Sequence, residues 1–318
     1  MKRQGRFWLL VLLVGVLACS DEPELTTSSL TKDAAAARSA RAAGDASSGA
    51  GSDGVAQVPQ DMLTVGTVEE VNVDAKLLNG AAKVVSDAVD KDEIRGAVIL
   101  VARDRKIILF EAYGWRDQDK KLVMKKDSLF QMASNTKALT AAGVLSLVDE
   151  GKVGLDDAVF NHLVAFQNLK SVDISVRQLL THTAGLRIKT LFKMPLMEKS
   201  AEHPDAPTLL LEVDRLAEVG PEVKPGTSFS YNNAGYNILA GVIEKLTGSY
   251  KKHLKQRFYE PLGMVDSSNH ESDADQKRMS AIFKDKTTAG WKIGWKPGDP
   301  AKLPFVRGSG GMVTSAMD

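Results

Sequence analysis

The chain has 318 residues, of which 43% are hydrophobic and 25% are charged, so its composition excludes a collagen-like, coiled-coil or wholly disordered protein. Its 41 Lys and Arg residues nearly balance its 40 Asp and Glu residues, and the formal net charge of +1 lacks the basic excess that nucleic-acid binding needs. The single cysteine, Cys19, excludes an intrachain disulfide and a cysteine-based zinc site.

Residues 1–18 have the layout of a signal peptide. Basic residues near the start precede an apolar run, Phe7–Ala18, which is shorter than the roughly 20 residues of a membrane-spanning helix. The run ends in Leu17-Ala18-Cys19, which resembles a bacterial lipobox, where the cysteine is lipidated and becomes the first residue of the mature protein. We therefore predict cleavage before Cys19 and lipidation of its thiol, with a buried structural cysteine as the alternative.

A compositional change separates this segment from the rest of the chain. Ala34–Ala43 is rich in Ala and Arg, and Ala46–Val55 is rich in Ser, Gly and Ala. Such a segment buries too little apolar area to offset the entropy lost on ordering. The sequence therefore predicts a flexible tether over residues 19–60 and a folded domain over residues 61–318.

The spacing of apolar residues in the folded region predicts a helix over Ala75–Val89 and strands over Gly96–Ala102 and Ile107–Tyr113. The turn Arg103–Lys106 is too short for a parallel crossover, so the two strands must be antiparallel. A mainly helical insert is predicted over about residues 133–300. This order predicts an α/β fold of the α+β kind, with an antiparallel sheet flanked by helices, and excludes the strand–helix alternation of a dinucleotide-binding fold.

A serine and a lysine open the first helix of the predicted insert. Ser134 lies at the start of the segment that ends at Gly151, and Lys137 follows three residues later on the same helix face. A lysine with a lowered pKa can activate a serine hydroxyl, and a helix N-terminus offers N–H groups to an oxyanion. The same Ser-x-x-Lys spacing also occurs at Ser29 and Ser249. Alone, Ser134 would be a helix N-cap and Lys137 a solvated side chain.

A second polar group precedes the predicted helix Ala234–Leu246. Tyr231 and Asn233 stand two residues apart there, so both can point into one cleft from a loop. A tyrosine can relay a proton, and an amide can hydrogen-bond an acyl substrate. The alternative for Asn233 is a cap on the helix that follows, or both roles together.

Three other side chains invite a functional interpretation. His182 could act as a base, but it lies in a turn that closes a helix, which favours a structural role. Trp291 and Trp295 are predicted to lie on a surface hairpin, with the mouth of a cleft as the alternative. The remaining histidines lack the spacing of metal ligands.

Six segments occur in an order that is typical of one group of proteins: Ser134-x-x-Lys137, Val148–Asp157, Val176–Leu186, Lys224–Asn233, Pro261–Met264 and Gly308–Gly311. From Gly96 to Asp318 the chain resembles the serine β-lactamase and penicillin-binding-protein-like superfamily. The resemblance is to the branch with class C β-lactamases, D-alanyl-D-alanine carboxypeptidases and related esterases. It implies a β-lactamase/transpeptidase-like fold.

The resemblance also implies roles for the four polar residues. Ser134 would be the acylated nucleophile, Lys137 and Tyr231 would share its proton transfers, and Asn233 would contact the lysine and the substrate. Neither a metal nor an organic cofactor is implied. The substrate would be a small molecule, peptide or ester with an amide, β-lactam or ester bond.

One departure from the family pattern concerns its third motif, Lys/His-Ser/Thr-Gly. Neither Lys286-Thr-Thr nor Lys296-Pro-Gly298 fits it, so we expect a C-terminally truncated member with an incomplete sheet. The resulting prediction is a serine hydrolase, lipid-anchored in the bacterial cell envelope, with a membrane and a substrate as partners and no nucleic acid. The alternative is a non-catalytic envelope lipoprotein that binds the cell wall or a protein partner.

Overall fold

A computed structural model describes residues 63–117, 121–186, 199–288, 290–300 and 305–318. The predicted signal peptide, Cys19 and the predicted tether lie outside the described residues. The strands are β1 Thr64–Val65, β2 Gly96–Arg103, β3 Lys106–Asp117, β4 Leu122–Val123, β5 Phe130–Gln131, β6 Ile282–Thr287, β7 Gly290–Trp295 and β8 Val313–Thr314. The α-helices are α1 Ala75–Asp90, α2 Thr136–Asp149, α3 Val176–Leu180, α4 Leu209–Val219, α5 Ala234–Thr247, α6 Tyr250–Leu254 and α7 Asp273–Gln276.

The main sheet is built on the hairpin β2–β3. Its strands are antiparallel, as predicted, and Gly96 pairs with Gly114 at the open end. Asp104 and Arg105 form the turn with φ values of 48° and 66°, the left-handed conformation that a tight two-residue hairpin needs. β4 pairs antiparallel with β3, whereas the two-residue β1 pairs with β3 in parallel.

Helix α1 packs against β2 and β3. It begins where the apolar spacing predicted, because the side chain of Asp74 accepts a hydrogen bond of 2.7 Å from the backbone N–H of Lys76. Such a cap satisfies one of the N–H groups that a helix start leaves without a partner. None of the helices within the described ranges combines the length and apolarity that a bilayer crossing needs.

Helix α5 is the centre of the helical part of the molecule. Every residue from Ala234 to Ile243 is buried, because α2, α3, α4 and α6 pack around this helix. Leu147 of α2 and Val213 of α4 belong to the same core, where each fully buried side chain contributes about 1.5–3 kcal/mol. Gly248, at φ 81°, ends α5 in the left-handed conformation that favours glycine.

The last part of the predicted helical insert contains β structure. β6 and β7 form an antiparallel hairpin, which confirms the predicted hairpin, but the expected surface position is wrong for Trp295, which is buried. Trp295 is buried in a small cluster with Leu129, Met279 and Val313. The indole N–H of Trp291 donates to the carboxylate of Asp92 at 3.0 Å and so ties the hairpin to the turn after α1.

Two short strands bring distant parts of the chain to the start of α2. β5 and β8 are antiparallel, with Phe130 opposite Thr314 and Gln131 opposite Val313. The glycine-rich segment Gly308–Gly311 precedes β8 and therefore lies against the residues that follow β5. A Cβ at Gly308 would lie 2.3 Å from the carbonyl oxygen of Tyr236, so the close approach of this segment to α5 requires a glycine.

Candidate active site

Ser134 lies in the tight turn that leads into α2. A 3-10 helix spans Ala133–Asn135, and α2 starts at Thr136. Ala133 has a φ of 44°, a left-handed conformation that is uncommon outside glycine. Asn135 occupies the N-cap position of α2 without a side-chain capping bond. Ser134 is therefore not the cap, and its exposed hydroxyl stands at the start of the helix, as predicted.

The ammonium or amine of Lys137 is the centre of the site. Only 6% of this residue is exposed, and its Nζ lies 3.1 Å from Ser134 Oγ, 2.8 Å from Asn233 Oδ1 and 2.9 Å from the backbone oxygen of Ser309. Burial lowers the pKa of Lys137, and a hydrogen bond with Tyr231 opposes part of this shift. A neutral amine with two fixed acceptors would direct its lone pair toward the serine hydroxyl.

Tyr231 covers Lys137 from the loop before α5. The lysine Nζ is 4.8 Å from the centroid of the tyrosine ring, and the tyrosine is 44% exposed. The structure therefore brings together all four of the polar residues that the sequence singled out, Ser134, Lys137, Tyr231 and Asn233. Because Tyr231 is partly exposed, a bound substrate can reach its side chain.

Asn233 occupies the N-cap position of α5, as the alternative expected, but its side chain makes no capping hydrogen bond. Its amide oxygen accepts a hydrogen bond from Lys137. A backbone N–H group in the first turn of the helix is bonded instead by the side chain of the neighbouring Asn232. The Oδ1 of Asn232 accepts from the N–H of Gly235 at 2.8 Å, and its Nδ2 donates to the oxygen of Ser230 at 2.8 Å. This division of labour leaves Asn233 free to contact the lysine.

His182 holds the Tyr231 loop in place. Its backbone oxygen accepts a hydrogen bond from Ser230 N at 2.8 Å, and its Nδ1 accepts one from Asn232 N at 3.3 Å. The imidazole ring lies 4.6 Å from the Tyr231 ring, centroid to centroid. Burial and then the charge of Lys137 lower the pKa of His182, which favours a neutral ring. These contacts agree with the structural role that was predicted for His182.

The serine of the third Ser-x-x-Lys match has a different task. Ser249 is the N-cap of α6, and its hydroxyl accepts from the backbone N–H of Lys252 at 3.2 Å. Ser29 lies outside the described residues. The same spacing thus gives a helix cap at Ser249 and a hydroxyl–amine pair at Ser134, which makes Ser249 a natural control.

The sequence did not reveal the contribution of Ser309. Its backbone oxygen is one of the two fixed acceptors for Lys137, together with Asn233 Oδ1, and a backbone oxygen has no residue-type signature. The glycine-rich segment around Ser309 was the available signal. In the part of the chain that the structure describes, no group of three or more His, Cys, Asp or Glu side chains could hold a metal ion.

Comparison with known proteins places this geometry in context. The beta-lactamase family profile matches residues 81–318 of the chain. Protein flp from Staphylococcus aureus (strain COL) is 31% identical over 198 residues, which cover 61% of this chain and 39% of that protein. An uncharacterized protein, MT1414 from Mycobacterium tuberculosis, is 26% identical over 223 residues, which cover 65% of this chain and 55% of that protein. The chain spans about two fifths of the length of flp.

The fold is similar to those of solved structures that include a hydrolase and an amidase. EstCE1, a hydrolase with promiscuous acyltransferase activity, aligns with a TM-score of 0.64 and 24% identity, covering 76% of this chain and 70% of that chain. The D-amino acid amidase from Ochrobactrum anthropi SV3, complexed with L-phenylalanine amide, aligns with a TM-score of 0.56 and 26% identity, covering 75% and 66%. The profile match, the fold and the order of the motifs agree, and the chain belongs to the beta-lactamase family of the serine β-lactamase and penicillin-binding-protein-like superfamily.

Proposed function

We propose that the protein is a serine hydrolase that works through an acyl-enzyme on Ser134, with an amide, β-lactam or ester as substrate. The observation that carries this proposal is the buried Lys137 amine, 3.1 Å from the hydroxyl of the exposed residue Ser134. A serine is a weak nucleophile until a neighbouring base takes its proton. A buried lysine with a lowered pKa is such a base.

The proposed reaction has two halves. Neutral Lys137 takes the proton of Ser134 as Oγ bonds to the substrate carbonyl carbon, and the resulting oxyanion is stabilised by the positive N-terminal end of α2. The intermediate collapses, and Tyr231 passes a proton from Lys137 to the leaving amine or alcohol. Water then attacks the ester of Ser134, the carboxylic acid leaves, and the serine recovers its proton.

The relatives support a carbonyl substrate without selecting its leaving group. One similar structure is an amidase by name, and another is a hydrolase with acyltransferase activity. An acyl-enzyme unites these activities, because the same intermediate can be released by water or by another acceptor. Tyr231 is 44% exposed and is therefore accessible to a leaving group of either kind.

A covalent probe tests the proposal. We expect a fluorophosphonate to add one label per chain, mapped by peptide mass spectrometry to Ser134, because only that described Ser-x-x-Lys hydroxyl contacts its lysine amine. Ser249→Ala serves as the matched control and should be labelled like the wild type. A folded protein that takes no label, or takes it on another serine, would contradict the mechanism and favour a non-catalytic binding protein.

We also propose that the protein acts in the bacterial cell envelope, anchored by a lipid on Cys19. The basic start, the short apolar run and the cysteine at its end support this location. In a bacterial host, the full chain is expected to enter the detergent phase on Triton X-114 partition, and Cys19→Ser should release it or block processing. An intact mass with an unmodified Cys19 would overturn the anchor while leaving the hydrolase proposal standing.

A further inference from the structure

The backbone oxygen of Ser309 belongs to a peptide segment that hydrogen bonds from two helices hold in place. Thr140 of α2 donates its hydroxyl to the oxygen of Gly308 at 2.7 Å. Asn237 of α5 accepts from the backbone N–H of Ser309 through its Oδ1 at 3.1 Å. Both atoms of the peptide bond between Gly308 and Ser309 are therefore held, and the next carbonyl along the chain is the one that faces Lys137.

The Ser309 N–H requires the oxygen of the Asn237 amide, and a charged neighbour supports the same orientation. Its Nδ2 lies 3.5 Å from Oε2 of Glu212 on α4, and a carboxylate only accepts hydrogen bonds. The amide must therefore turn its nitrogen to Glu212 and its oxygen to Ser309. The other carboxylate oxygen of Glu212 lies 2.9 Å from the guanidinium of Arg307, two residues before Ser309.

This ion pair is unusual in being almost entirely buried, with 10% of the Glu212 side chain and 15% of the Arg307 side chain exposed. Burial raises the pKa of Glu212, and the charge of Arg307 opposes that shift. Buried ion pairs are costly to desolvate and often add no stability over apolar side chains. This buried pair is connected to the active-site lysine through Asn237 and Ser309. Its position is therefore better explained by the groups that it orients than by stability.

We infer that Glu212 and Asn237 are positioning residues, which hold the Ser309 carbonyl toward Lys137 and so aim the lysine amine at Ser134. This inference rests on the proposed function, because the lysine that Glu212 and Asn237 position is the one that activates Ser134. We call this chain of contacts, from Glu212 through Asn237 and Ser309 to Lys137, the relay. Without the Ser309 acceptor, the lysine amine loses one of the two bonds that orient it. The ammonium form also loses a hydrogen bond, and this change lowers the lysine pKa.

Asn237→Leu is the main test, since leucine has a similar volume and cannot accept from Ser309. We expect the rate of fluorophosphonate labelling to fall about tenfold, and the pKa of Lys137 to fall by about one unit, the typical size of a lost hydrogen bond to a charged group. The pKa is measured from the lysine 13Cε and 15Nζ NMR signals, assigned with Lys137→Met. The other described titratable side chains recorded around this amine, Tyr231, Tyr236 and His182, remain unchanged.

Two further variants separate orientation from stability. Glu212→Gln removes the charge that supports the amide orientation and keeps an acceptor oxygen, so it should lower the labelling rate and the Lys137 pKa in the same direction, but less. Ser171→Ala, the matched control, removes a buried hydrogen bond of 2.7 Å to Ala217 of α4 and should leave the Lys137 pKa unchanged. If Asn237→Leu does not fold, Glu212→Gln carries the test.

The outcomes distinguish this inference from the proposed function. The relay would be overturned if the wild-type protein is labelled on Ser134 but the Lys137 pKa is unchanged in both Asn237→Leu and Glu212→Gln. The hydrolase proposal would then stand. If the wild-type protein takes no label but the Lys137 pKa is lower in the variants, the relay would be supported and the hydrolase proposal overturned. If Ser171→Ala shifts the Lys137 pKa as much as Asn237→Leu does, the shift reflects a general loss of packing, and the relay is overturned.

Discussion

Replacing Ser134 by alanine is expected to abolish labelling by a fluorophosphonate and to reduce turnover of a p-nitrophenyl ester to the uncatalysed background. The reason is that the acyl group would have no oxygen to bond to, while the other groups of the site remain in place. Removal of the nucleophile from a serine hydrolase costs up to about 10⁶ in rate. Steady-state hydrolysis and intact-mass labelling measure the two effects independently.

The control for this experiment is Ser249→Ala, which removes the other described serine of the Ser-x-x-Lys type. That change deletes a helix cap and should cost about 1 kcal/mol of unfolding free energy with no loss of turnover. Ser134→Ala should show the reverse, with a melting temperature near that of the wild type. Full activity in Ser134→Ala would show that the reaction does not proceed through this hydroxyl.

The local structure of the chain was largely readable from the sequence. The antiparallel hairpin followed from a turn too short for a parallel crossover, and α1 followed from apolar spacing. The two-residue β1 was missed, because so short a strand has no periodicity. The hairpin β6–β7 was predicted from its tryptophans, although the insert as a whole was expected to be mainly helical.

The four polar side chains of the site were predicted from the sequence, whereas the backbone and amide groups that hold them are seen only in the structure. Ser134 and Lys137 are three residues apart, so helix geometry alone brings them together. Tyr231 and Asn233 were assigned through the family resemblance, since nothing local connects residues 96 apart in sequence, such as Lys137 and Asn233. The Ser309 carbonyl and the Asn237 amide were not predicted, because their roles depend on tertiary contacts between α2, α4 and α5.

Asn232 and Asn233 illustrate the limit of propensity arguments. Either asparagine could cap α5 by its residue type. Which of them does so depends on the position of Lys137, which takes the Oδ1 of Asn233 and leaves the cap to Asn232. A capping rule therefore predicts that the helix starts here, but the packing of α2 against α5 selects the residue that caps it.

Replacing Lys137 by methionine is expected to lower the rate of Ser134 acylation by about 10²–10⁴, the usual contribution of a general base. Methionine fills a similar volume, so the protein should remain folded in a thermal melt. The pH dependence gives the sharper readout. If the neutral amine is the base, acylation in the wild type increases as pH rises through the pKa of Lys137, which burial lowers below its ordinary value of 10.5. This dependence should be absent from Lys137→Met.

Lys137→Arg then separates a base from a fixed positive charge. A guanidinium stays protonated at every pH at which the protein is folded, so it cannot take the proton of Ser134. We therefore expect Lys137→Arg to be about as slow as Lys137→Met, with labelling rates measured from pH 6 to 10 for both. Substantial acylation by Lys137→Arg would mean that the lysine acts through its charge, because only an electrostatic role survives the exchange of one cation for another.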